Sequence, residues 1–291
     1  MSRVNLNGIG ISVRVVNSSA AGPAALLIHG LNTNLAFWHP LLVRQLSASR
    51  RLIMYDQRGH GDSDLPPSGY TSADLAGDAA ALLDAYQLDS ADVIAHSFGA
   101  TVALQLLRLH PKRVRSLVIL DGRTRLLQPE VRIGDWSQFA RWQQHFQAAG
   151  IVLDPELELD FELPLHISSE MWASAREGLA KEGFFVPGRG ARAMAKYTRL
   201  LKETTAPHDF RQNAGLTRES LRQITIPVVA VYGANSPYLP TARGLLDEIP
   251  GCGFVSIPGG GHNFPFLQPD ATLAAIEDFW ATSFNKGTLP S

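Results

Sequence analysis

Short apolar runs alternate with longer stretches of helical periodicity along most of this chain. Runs rich in Val, Ile and Leu fall at 24–28, 51–55, 91–95, 114–120, 228–232 and 254–257. Each is too short for a buried helix and reads as a strand, those at 24–28 and 91–95 as buried ones. The clearest helical pattern between them spans 72–86, with Leu75, Ala79, Leu82 and Leu83 on one face. Alternating strands and helices predict an α/β fold, a mostly parallel sheet with helices on both faces. The opening residues instead read as a polar hairpin turning at Asn7-Gly8, a pair suited to a tight primed turn.

The rhythm fails between Leu120 and Val228. That gap holds few strand-like runs and several helical stripes, such as Trp136, Phe139, Trp142 and Phe146. Asp135, with Gln138 three residues on, is placed to cap the helix that carries this stripe. Two further helices are expected over 169–181 and 191–203. The organisation expected is therefore one core in two parts, 1–121 and 220–291, with a helical lid inserted at 122–219.

Composition narrows the class of protein. Of 291 residues, 45% are hydrophobic and 18% charged, which suits a globular chain with a sizeable core. A formal net charge of −1 provides no global basic field, so a nucleic-acid partner is not expected. The one cysteine, Cys252, excludes an internal disulfide and a multi-cysteine metal site; beside the last strand it reads as a half-buried structural thiol. The first residues lack the pattern of a signal peptide, and no apolar stretch approaches the length of a membrane span. A soluble, cytoplasmic protein without membrane contact is expected.

The candidate chemistry begins at Ala95-His96-Ser97-Phe98-Gly99, between the run at 91–95 and a helical run that stops at His110-Pro111. A serine on such a turn can be held in a strained conformation, its hydroxyl clear of the sheet beneath the positive end of the helix. Taken alone, the motif is equally a serine in an ordinary loop. Three other segments change that. His29-Gly30-Leu31-Asn32 follows the first run, Asp56-Gln57-Arg58-Gly59-His60-Gly61-Asp62-Ser63 follows the second, and Pro258-Gly259-Gly260-Gly261-His262 follows the last.

Together these four segments, in this order, resemble the α/β-hydrolases. The likeness covers most of the chain and leaves the middle segment unmatched in detail. It implies a nucleophile elbow at Ser97, with Ala95 in place of the usual first glycine, and a general base at His262. It implies oxyanion donors at the Leu31 and Phe98 amides, with Asn32 as an added side-chain contact. His29 is expected to brace the oxyanion loop, His96 to pack, and the 55–63 loop to be structural. The chain departs from the family at the acid. The loop after the seventh strand, Gly233-Ala234-Asn235-Ser236, holds no carboxylate, and neither Asn235 nor Ser236 can supply the anion an imidazolium needs. Some members place the acid after strand six, which here is Asp121. That residue is the expected third member, a Ser-His pair without an acid being the alternative.

A serine nucleophile excludes the aspartyl-ester route of the dehalogenases and epoxide hydrolases of this fold. The resemblance implies a serine hydrolase that cleaves an ester or thioester of a hydrophobic acyl group, with no metal or organic cofactor. Carbon–carbon cleavage, acyl transfer and a non-catalytic ligand-binding role remain alternatives; Asn263 after the base stands where carbon–carbon hydrolases commonly carry Trp. Trp142 and Trp172 are the expected substrate-binding residues of the lid, and the bland reading of these aromatics is packing. Arg189, Arg192, Lys196 and Arg199 lie near one helical face. They form either a solvated surface or a docking patch for coenzyme A or a carrier-protein thioester.

Overall fold

A computed structural model describes residues 1–148, 150–162 and 191–284. Eight strands form one sheet in the order β1-β2-β4-β3-β5-β6-β7-β8. They are β1 (Ser2–Leu6), β2 (Ile9–Val16), β3 (Gly22–Ile28), β4 (Arg50–Tyr55), β5 (Ala91–His96), β6 (Val114–Leu120), β7 (Val228–Gly233) and β8 (Gly253–Ile257). The first two strands are antiparallel to each other, β2 is antiparallel to β4, and every later pairing is parallel. The hairpin turns where the sequence places it, with positive φ at Asn7 (52°) and Gly8 (85°), as a primed turn requires.

Helices cover both faces because the central strands are apolar on both. Every residue of β5 is buried, and so is every residue of β7. On one face, α2 (Ser72–Ala85) and α3 (Phe98–Leu109) pack Leu75, Ala79, Leu82, Val102 and Leu106 into the main core. On the other, α1 (Pro40–Leu46) and the C-terminal helix Pro269–Phe284 contribute Leu42, Leu46, Ile276 and Trp280. A reciprocal capping box between Thr71 and Asp74 fixes the start of α2. Among the described residues, no helix is long and apolar enough to cross a membrane.

Between β6 and β7, the structure describes α4 (Phe139–Ala148), α5 (Ala191–Glu203) and two short helices, α6 (Ala206–Asp209) and α7 (Arg218–Arg222). α5 covers the range expected from its pattern. The helix carrying the aromatic stripe begins later than expected. Asp135 closes a short 3-10 turn, Ile133–Asp135, and α4 starts only at Phe139. Trp136 is held in extended backbone instead, with its indole N–H donating to the Asn235 carbonyl at 2.9 Å. Ile133, Trp136, Trp142, Phe146 and Leu153 form a small apolar cluster of their own. Tyr197, Leu200, Phe210 and Leu216 join the main core, so part of the inserted segment is continuous with the sheet's packing. The helix expected over 169–181, with Trp172, and Arg189 lie outside the described residues.

Candidate active site

Sheet register brings the candidate nucleophile and acid together. β5 and β6 are paired through His96 and Leu120, and Ser97 and Asp121 are the next residue of each strand. Both leave the sheet with positive φ, 56° at Ser97 and 48° at Asp121. For a residue with a Cβ this conformation is strained, and it persists only where the surroundings enforce it. Here the Ser97 amide donates to the Leu120 carbonyl, and the Asp121 amide donates to the Val231 carbonyl. Close approach completes the elbow. A Cβ on Gly99 would stand 2.5 Å from the Ile28 carbonyl oxygen, and one on Gly30 would stand 2.8 Å from the Ser97 Cβ. No side chain fits at either position, which lets α3 and the 29–31 backbone close on the serine.

His262 stands between the two. Its Nε2 lies 3.0 Å from the Ser97 Oγ, and its Nδ1 lies 2.7 Å from the Asp121 Oδ2. The Asp121 carboxylate is wholly buried and accepts two more hydrogen bonds. The Gly233 amide donates to its Oδ1 at 2.9 Å, and the Ser236 hydroxyl donates to its Oδ2 at 2.6 Å. Donors of this kind let a buried carboxylate remain charged. Ser236 was not foreseen as part of the site, since it carries no charge. Its signal was positional: a buried hydroxyl in the loop where the family's acid usually stands.

His96 does more than pack. Its ring stacks on Phe37 at 4.3 Å between centroids, and its Nε2 donates to the His262 carbonyl at 2.9 Å. That bond tethers the glycine-rich loop carrying the base. Tyr238 presents its ring edge-on to His262 at 4.7 Å.

The oxyanion side is set by one peptide group. The Gly30 carbonyl accepts from His29 Nδ1 at 2.7 Å and from the Thr33 hydroxyl at 2.8 Å. In a trans peptide the N–H points opposite the C=O, so pinning that oxygen aims the Leu31 amide the other way. The second candidate donor, Phe98, opens α3, where first-turn amides have no intrahelical acceptor. His29 Nε2 accepts from the Gln57 amide at 3.1 Å, which assigns the ring one tautomer: neutral, with its proton on Nδ1.

Burial keeps this histidine uncharged, lowering its pKa to about 4, and lowers that of neighbouring His60 to about 3. An unfolded histidine titrates near 6.5. Below that pH the unfolded chain therefore takes up protons that the folded chain refuses, and stability falls as pH drops toward 4. Each ring contributes on the order of 2 kcal/mol to this loss by pH 5. Thermal melts should show Tm falling by on the order of 10 °C between pH 7 and pH 5. The fall should be shallower in His60→Leu, which shares every carboxylate with wild type. A Tm independent of pH over this range would contradict the buried neutral pair.

Ser97, Leu31, Phe98 and His262 open onto a cavity of about 520 Å³. Trp136, Trp142, Leu159, Phe161 and Phe210 form an apolar wall, and Arg123, Asp160 and Asn235 add polar groups. Trp142 thus lies in the cavity wall, and Asn32 lines it as well. The basic run is turned elsewhere. Lys196 donates to the carbonyls of His60, Gly61 and Ser63, Arg192 faces Asp62, and Arg199 pairs with Glu203. The 55–63 loop is held by Asp56, whose two oxygens accept from the Leu35 and Asp62 amides, and by a buried Arg58–Asp78 pair.

A family model described as the alpha/beta hydrolase fold matches residues 23–269. The chain belongs to the α/β-hydrolase family. Among its relatives is the 2-(acetamidomethylene)succinate hydrolase of Mesorhizobium japonicum. The two are 29% identical over 95% of this chain and 94% of the relative. The 2-hydroxymuconate semialdehyde hydrolase of a Pseudomonas strain is 36% identical over 37% of this chain and 39% of its own. The esterase RhEst1 from Rhodococcus superposes with a TM-score of 0.65 at 26% identity, covering 97% of this hydrolase and 98% of that chain. These relatives are hydrolases.

Proposed function

We propose that this α/β-hydrolase is a serine hydrolase that cleaves a carboxylic ester through an acyl-enzyme on Ser97. The observation that carries the reading is the unbroken line Asp121–His262–Ser97, 2.7 Å and 3.0 Å long. Serine alone is a poor nucleophile. As its Oγ attacks the acyl carbonyl carbon, His262 Nε2 takes the proton, and Asp121 stabilises the imidazolium through Nδ1. The Leu31 and Phe98 amides receive the oxyanion. The leaving alkoxide takes the proton back from His262. Water, deprotonated by the same ring, then attacks the acyl carbon and releases the acid and Ser97. The apolar wall around Trp142 suits an acyl group with a hydrocarbon body.

An ester is favoured over a thioester of coenzyme A or of a carrier protein. The cations that would dock a phosphorylated carrier are, where described, occupied by Asp62, Glu203 and three backbone carbonyls. Carbon–carbon hydrolysis is the second reading, favoured by the relative named for hydroxymuconate semialdehyde. It uses the same serine.

A fluorophosphonate probe tests the common ground of both. One label should form at Ser97, be absent in Ser97→Ala and be strongly reduced in His262→Ala. A folded wild type that stays unlabelled would instead favour a ligand-binding role. Turnover of p-nitrophenyl esters against vinylogous diketones then separates the two chemistries.

A further inference from the structure

Arg123 follows Asp121 by two residues, and its backbone is fastened to the nucleophile's turn. Its amide donates to the Ser97 carbonyl at 3.1 Å, and its carbonyl accepts from the Thr101 hydroxyl at 2.6 Å. The side chain enters the cavity wall and is only 11% exposed. A guanidinium that deep needs its five N–H groups matched, and these are not. Its Nη2 reaches Glu158 Oε1 at a long 3.3 Å, and the same oxygen already accepts from Arg125 at 2.6 Å. Its Nε is buried without a hydrogen-bond partner. The guanidinium carbon lies 5.8 Å from the ring centre of Tyr238, the ring that packs edge-on against His262.

The cavity's carboxylate is committed where Arg123 is not. Asp160 accepts from the Glu162 amide through Oδ1, at 2.8 Å, and from Arg211 through Oδ2, at 3.3 Å. Arg123, Arg125 and Arg211 face Glu158, Asp160 and Glu162 here, so the charges balance, but two arginines share one Glu158 oxygen and Arg123 keeps an unused N–H. A bound anion would take up that N–H.

We infer that Arg123 anchors a carboxylate at the far end of the substrate's acyl group, so that the preferred substrates are half-esters of dicarboxylic acids. The inference rests on the serine-ester reading and deepens it. The apolar wall accommodates the methylenes, the oxyanion donors hold the reacting carbonyl, and the guanidinium fixes the other end. Arg125 shares Glu158 with it and holds that oxygen the closer, at 2.6 Å against 3.3 Å.

Two esters of one shape test this: p-nitrophenyl hydrogen glutarate and p-nitrophenyl 5-methylhexanoate, which differ in having a carboxylate or an isopropyl end. Wild type should favour the half-ester in kcat/KM by about ten- to a hundredfold, the range of a hydrogen bond to a charged group. In Arg123→Met the ratio should collapse toward one, and in Arg123→Lys, which keeps the charge without the fork, it should be intermediate. Calorimetry on Ser97→Ala should show the same preference in binding, without hydrolysis. Equal kcat/KM for the two esters in wild type overturns the assignment and leaves the serine chemistry standing. A preference that survives in Arg123→Met overturns it equally. Absent labelling at Ser97, with the binding preference intact in Ser97→Ala, would sink the serine mechanism alone.

Discussion

His262→Ala should lower ester turnover by about four to six orders of magnitude, and adding Ser97→Ala to it should cost little more. In the proposed mechanism the two side chains act as one unit across a 3.0 Å hydrogen bond. Without the base the hydroxyl keeps its proton, and without the hydroxyl the base has nothing to deprotonate. Removing either therefore removes the same pathway, which is the non-additive behaviour known for such triads. Residual hydrolysis should come from the oxyanion donors and from binding, which neither substitution touches. Single-turnover rates of p-nitrophenyl ester cleavage by the two single variants and the double variant decide the matter. Independent, additive losses would mean that the two residues do not work together.

Asp121→Asn should reduce turnover by roughly a hundredfold or more near neutral pH. The asparagine keeps the shape but removes the anion beside Nδ1 and favours the wrong imidazole tautomer, a change that costs serine proteases about four orders of magnitude. Ester hydrolysis is less demanding, hence the smaller figure. The Ser236 hydroxyl shares Oδ2 with the imidazole and holds the carboxylate's orientation. Ser236→Ala should therefore cost about tenfold, whereas Asn235→Ala, without a hydrogen bond to the acid, should cost less. Steady-state kinetics of the three folded variants give the order. An Asp121→Asn enzyme that retains most of its turnover would remove the acid from the mechanism.

The sheet was legible because its central strands are continuous apolar runs, buried on both faces, that stop abruptly at polar residues or glycine. The elbow, the base loop and the absence of a carboxylate at 233–236 were visible for a related reason: each sits at a strand end, where backbone geometry restricts residue type. Ser236 and Arg123 were not visible. A hydroxyl that supports a carboxylate 115 positions earlier in the chain leaves no local pattern, and an arginine two residues past a strand reads like any exposed loop cation. The start of α4 was misjudged for a comparable reason. Trp136 has the spacing of the helical stripe, but its indole is fixed by a carbonyl almost a hundred positions away, at Asn235. Tertiary hydrogen bonding overrode the local period.

Register decides which part of this site can move. Ser97 and Asp121 are successive exits from neighbouring strands locked by six residue pairings, so the gap between them can change only if the sheet itself comes apart. The imidazole arrives differently, on a loop of three consecutive glycines secured by the bond from His96 and by the Asn235 amide, which donates to the Gly260 carbonyl at 2.8 Å. Warming would thus release the base before it disturbs either of the groups it connects. Such a protein can fall silent while its strands stay intact and resume work on cooling, its upper working temperature governed by the few hydrogen bonds that hold this loop and not by the melting of the fold.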